Sequence, residues 1–158
     1  MPKIIQTTVY TIDELSENSK KVARQWYLDG ADIVDDSFCD MVEDAKQIGL
    51  QIDSLRSHYS LSGSFIDSAA TVAEAIKANH GEDCTTYKIA EKFLQQYEKT
   101  SELNFDKDAI ENEFLTALLK DYFESLNDTV SHLKTDSVVD ESIRDNDYTF
   151  TDSGKRFG

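Results

Sequence analysis

An α+β fold is predicted, with a small antiparallel sheet packed against about five or six helices. Three observations predict it. Apolar residues recur at helical spacing over most of the chain, in segments closed by single glycines. Short β-forming segments lie at both ends and in the middle. The one proline is at position 2, and the six glycines are scattered, so no linker or repeat divides the 158 residues. A single domain over 1–158 is therefore expected, and a domain of this length hides roughly 70% of the surface its unfolded chain exposes.

Lys3 to Tyr10 is rich in β-branched residues and reads as a strand. Thr11 and Glu14 then have capping-box spacing, and Ile12, Leu15, Val22 and Trp26 form the inward stripe of a helix that Gly30 ends. A second helix is expected over 31–48. Val34, Phe38, Met41, Val42, Ala45 and Ile48 gather on one side of it, and Gly49 stops it. Leu50–Arg56 and Ser60–Asp67 alternate as two strands, with the turn at Ser57 and His58.

A small-residue helix covers Ser68–Asn79 with Ala69, Val72, Ala73 and Ile76 inward. Another covers Asp83–Thr100 on Tyr87, Ala90, Phe93, Leu94 and Tyr97. The longest runs from Asp106 to Leu133, because Ile110, Phe114, Leu118, Tyr122, Leu126, Val130 and Leu133 hold one period throughout. Asp136 starts a short helix through Val139 and Ile143. Tyr148–Thr151 then alternates as a terminal strand whose natural partner is the first one.

The charge narrows the function classes. Thirty-one acids against sixteen bases leave a net charge of −15. Direct binding to nucleic acid or to anionic lipid needs clustered Lys and Arg, so both are disfavoured, while encounter with a basic protein surface is accelerated. No apolar run approaches the length of a membrane span. Met1 to Tyr10 lacks the basic-then-apolar pattern of a secretory signal, so a cytosolic location is expected. Cys39 and Cys84 are isolated and are expected to be buried thiols.

Catalytic motifs do not form. His58, His80 and His132 fall in a turn, a helix end and a helix terminus, without metal-ligand spacing. The glycines make no phosphate-binding turn, and Leu61–Phe65 around Ser62, Gly63 and Ser64 lacks the glycine frame of a serine nucleophile. No metal, no cofactor and no catalytic residue is assigned. An enzyme would have to use carboxylates near His58 and the Ser62–Ser64 turn.

The distribution of acids is more informative. From Asp29 to Asp53 there are eight acids and one base, Lys46. On a helical wheel Asp32, Asp36, Asp40 and Glu43 fall within about 80° of one another, opposite the apolar stripe. With Asp44 they form an expected partner-binding ridge. Its axial spacing of about 6 Å is of the order of that between phosphates on one nucleic-acid strand. A second acidic set, Glu111, Glu113, Asp121, Glu124 and Asp128 with Asp136, Asp140, Glu141, Asp145 and Asp147, is diluted by Lys107, Lys120, Lys134 and Arg144.

Val9–Ser16 (VYTIDELS), Ala23–Tyr27 (ARQWY), Val42–Ile48 (VEDAKQI) and Ser142–Gly154 (SIRDNDYTFTDSG) resemble a widespread family of acidic phage and prophage proteins. Some of its members carry the label of antitoxin of a toxin–antitoxin system. The resemblance implies a non-catalytic phage protein directed against host defence. By analogy with acidic inhibitors of CRISPR–Cas and restriction enzymes, it would occupy a basic channel as a mimic of DNA. The alternative it implies is an antitoxin that neutralises a basic toxin.

Overall fold

The structure, a computed structural model, describes residues 1–56, 60–103 and 106–158. Its described helices are α1 (Glu17–Gly30), α2 (Ile33–Gln47), α3 (Ala69–Asn79), α4 (Thr85–Leu103), α5 (Lys107–Leu133) and α6 (Asp136–Asp145). Its described strands are β1 (Leu50–Arg56), β2 (Ser60–Phe65), β3 (Thr149–Phe150) and β4 (Arg156–Phe157). Both sheets are antiparallel pairs, so the fold is α+β. The chain divides into two compact units, one of residues 1–35 with 129–158 and one of residues 36–128.

In the first unit, Thr11 and Glu14 have the expected reciprocal spacing, and the Thr11 amide donates to Glu14 Oε2 at 3.2 Å. They close only a 3₁₀ turn, Ile12–Glu14, and α1 begins afterwards, where Ser16 Oγ accepts from the Ser19 amide at 3.3 Å. Lys3–Val9 is exposed and is not a strand. Its pairing with the chain end shrinks to one bridge, in which Tyr10 and Phe150 exchange backbone hydrogen bonds of 2.8 Å. The physical reason lies at the other end. The chain turns at 152–154 so that β4 can pair with β3, and no strand extends far enough to accept the rest of the N-terminal segment.

That return turn needs Gly154. Its φ is +87°, and a Cβ there would lie 2.2 Å from the Ser19 carbonyl oxygen. Ile12, Leu15, Ala23, Val139, Ile143 and Phe150 make the core of this unit, on which α1 meets α6. Each large aliphatic side chain buried here contributes roughly 1.5–3 kcal/mol. So small a core shields only one side of α1, and Val22 (46% exposed) and Trp26 (36%), both expected inward, face out.

In the second unit the β1–β2 hairpin carries a larger core. Leu50 and Ile52 alternate inward on β1, opposite Phe65 and Gly63, and a bulge sets Asp53 out of register. The turn at Ser57 and His58 lies outside the described residues. Ser68 caps α3 by accepting from the Thr71 amide at 3.2 Å, and Ala69, Val72, Ala73 and Ile76 are buried as their spacing requires. Phe93 of α4 stacks on Phe114 of α5 with ring centroids 4.3 Å apart. Leu118 and Tyr122 continue that buried line along α5. At the end of α2, Gly49 adopts φ +83°, which terminates the helix and turns the chain into β1. Cys39 and Cys84 are both exposed rather than buried. Cys39 sits among the polar residues of α2, and Cys84 in the turn that precedes α4.

Candidate functional site

Helix α2 forms because its apolar positions close one face. Ala45 is fully buried, and Phe38, Met41 and Val42 pack partly buried against the core of the second unit. The period that directs these residues inward directs Asp36, Asp40, Glu43 and Asp44 outward, and all four are exposed. Lys46 Nζ donates to Glu43 Oε1 at 2.9 Å. Asp36, Asp40 and Asp44 make no ion pair or side-chain hydrogen bond among the described residues. They stand at i, i+4 and i+8, a row of like charges rising about 6 Å per step.

Asp32 does not belong to that row. Gly30 ends α1, Ala31 is extended (φ −98°, ψ 128°), and α2 starts only at Ile33, so Asp32 lies in the connection. It is exposed. With Leu28, Ala31, Ile33, Val34, Asp35 and Lys134 it lines a shallow cavity of about 190 Å³, where Lys134 makes no ion pair among the described residues.

The row also acts on the core. Tyr122 is buried and its hydroxyl has no hydrogen-bond partner among the described residues. Burial first, then the negative charges of Asp44 and Asp121, push its phenol above the ordinary range.

The second acidic set is less available than its composition suggests. Asp140 is 8% exposed and is held by Arg24, whose Nε and Nη2 donate to its two carboxylate oxygens at 2.7 Å each. Asp136 approaches the same guanidinium at 3.4 Å, and Glu113 lies 3.9 Å from Lys92. Asp140 is thus an internal tie between α1 and α6 and no part of an acidic surface. Its position one residue after Val139 and three before Ile143 on a short helix gave no sign of this, because the partner is distant in sequence. Arg144 forms a second fork with Asp13 at 2.7 and 2.8 Å, and the bound guanidinium lowers the pKa of the Asp13 carboxyl.

Of the residues considered for nucleophilic chemistry, Ser62 is engaged by another serine. Ser62 Oγ lies 2.8 Å from Ser54 Oγ across the hairpin, and His58 is outside the described residues. His80 Nδ1 is 2.6 Å from the Thr86 hydroxyl.

A second cavity was not anticipated from the sequence. Trp26, Tyr27, Gly30, Ala31, Asn146 and Tyr148 enclose about 300 Å³ in the first unit. Trp26 and Tyr148 meet edge to face, with centroids 5.1 Å apart at 88°. The available signal was the Trp-Tyr pair one turn before a helix-ending glycine, but assigning Trp26 to the inward stripe hid it. Among the described residues no helix is long and apolar enough to cross a membrane. No protein-family profile matches this chain, and comparison with characterised proteins and with solved structures gives no match.

Proposed function

We propose that this chain is a phage-derived, non-catalytic inhibitor of a host nucleic-acid-handling defence system, of the anti-CRISPR or anti-restriction type. It acts in the host cytosol by covering a basic protein surface with a DNA-mimicking acidic face. The observation that carries this reading is the row of Asp36, Asp40 and Asp44 along α2, exposed and without a cationic partner among the described residues. A row of like charges at i and i+4 opposes helix formation by a few tenths of a kcal/mol per pair. A cationic partner that neutralised it would recover that cost on binding. Glu43 lies within the row and Asp32 precedes it in sequence, both adding negative charge, and a field of one sign raises association rates with a basic target.

The test begins with capture from host lysate on the immobilised chain, followed by association kinetics with the retained protein at several ionic strengths. A nucleic-acid-binding effector is expected. The double variant Asp36→Lys/Asp40→Lys should slow association on the order of tenfold at low salt and flatten its salt dependence. Unchanged kinetics in the double variant would remove the ridge from the mechanism. Rescue of a toxic neighbouring gene product, with no effector retained, would replace the inhibitor reading by that of an antitoxin.

A further inference from the structure

We infer that the aromatic cavity at the C-terminal end of α1 is a seat for a guanidinium group, filled by an arginine side chain of the basic partner. The identity of that partner rests on the proposed function; the chemistry of the cavity does not.

Three of the six walls are aromatic, Trp26, Tyr27 and Tyr148, and the Trp26 and Tyr148 rings stand at 88° to each other with centroids 5.1 Å apart. Ring faces are negative and attract cations within about 6 Å. The protein already uses these rings in that way. The Arg156 guanidinium carbon lies 4.8 Å from the Tyr148 centroid and 5.8 Å from that of Trp26, held there as Nη1 donates to the Thr149 carbonyl at 3.1 Å. Arg156 is not among the walls of the cavity, which leaves the space itself for another group.

The polar surroundings have the same sign. Helix α1 has no basic residue in its last turn, and its terminal carbonyls, at Leu28, Asp29 and Gly30, accept no hydrogen bond from outside the helix among the described residues. They form the negative end of the helix dipole. Asn146 spends its Nδ2 on the Ser142 carbonyl at 2.8 Å, which leaves Oδ1 as an acceptor. Asp29, Asp145 and Asp147 adjoin wall residues in sequence, are exposed, and make no ion pair among the described residues.

Aromatic walls combined with neighbouring acceptors select among cations. A guanidinium offers a flat face to stack and five donors at its edge. An ammonium has no face to stack, a quaternary ammonium has no donors, and an uncharged apolar group would leave the acceptors unmet. Arginine is also a residue type on which interface binding energy concentrates.

Trp26 is the only tryptophan of the chain, so all tryptophan emission comes from one wall of this cavity. The intact protein is titrated with a blocked Gly-Arg-Gly peptide, and in parallel with the same peptide carrying lysine or citrulline, the uncharged isostere of arginine. Amide NMR shifts are followed at Gly30, Ala31 and Asn146. The arginine peptide is expected to change Trp26 emission saturably in the millimolar range, with lysine at least about threefold and citrulline at least about tenfold weaker. Tyr148→Leu should weaken arginine binding by about fivefold or more. The comparison of peptides on the unaltered protein stands even where that variant folds poorly. Citrulline binding as well as arginine, shifts confined to other residues, or no saturable change up to the solubility of the peptide would each overturn the inference. None of these results bears on the ridge, which the kinetics of Asp36→Lys/Asp40→Lys test separately.

Discussion

Replacing Asp40 by lysine should stabilise the protein and weaken its binding at once. Asp40 lies in mid-helix on α2, exposed, between Asp36 and Asp44 at four residues on either side. The substitution removes two like-charge i,i+4 pairs and creates two opposite-charge ones, each of about 0.2–0.5 kcal/mol, which together give about 1 kcal/mol. More than a full turn separates the site from both helix ends, so the macrodipole adds little. Lysine is also the better helix former, by a few tenths of a kcal/mol. Asp40→Gln matches lysine in propensity and also removes the repulsion, so the difference between Lys and Gln isolates the new attraction. Urea denaturation followed by helical circular dichroism is the assay. In low salt the order Lys > Gln > Asp is expected, with a rise in Tm for lysine of about 2–4 °C. In ~1 M salt the Debye length falls to about 3 Å, and the difference between Lys and Gln should vanish. A lysine variant less stable than the parent, or a Lys–Gln difference indifferent to salt, would show that the row is not the repulsive array described here.

Two further outcomes follow from buried groups. Asp140→Ala leaves the Arg24 guanidinium, 15% exposed, with only the exposed Asp136 carboxylate at 3.4 Å. A destabilisation of about 2–3 kcal/mol is expected, below the ~3–5 kcal/mol of a fully buried broken pair, and Arg24→Met/Asp140→Leu should recover most of it. A double variant as unstable as the sum of its single changes would refute the assignment of the loss to an unpaired charge. Tyr122→Phe removes a buried hydroxyl that has no partner among the described residues, so stability should be unchanged or raised by up to about 1 kcal/mol. The pH dependence has a definite sign. The folded protein holds the phenol proton more tightly than the unfolded chain, whose pKa is about 10. This contribution is complete below that value and is lost as pH rises above it. Denaturation at several pH values between 9 and 11.5 should show parental stability falling more steeply than that of Tyr122→Phe; parallel curves would contradict the raised pKa.

Apart from the start and inward stripe of α1, the helices were legible in the sequence because each carries its own period. The stripe of α5 needs only the spacing from Ile110 to Leu133, and α3 only its alanines, Val72 and Ile76 with Ser68 before them. The hairpin followed from alternation alone, and the outward direction of Asp36, Asp40, Glu43 and Asp44 from the apolar face opposite. These are local properties, fixed by which residues lie within a turn or two of one another.

Features that depend on partners distant in the chain were not legible. The β-forming Lys3–Val9 remains unpaired because β4 returns onto β3 through Gly154, a choice set by the close approach of Gly154 to Ser19. Asp140 reads as a surface acid until Arg24, 116 residues away in sequence, is brought against it. Trp26 reads as core until the core of its unit proves too small to cover it, and it then joins Tyr148 in a cavity that no periodicity encodes. Composition and period thus determined by themselves how acidic the chain is, which helices form and which face of α2 carries charge. The tertiary structure decided which acids are withdrawn into ion pairs and which aromatic residues line a cavity, because both depend on contacts across the fold, which local spacing cannot specify.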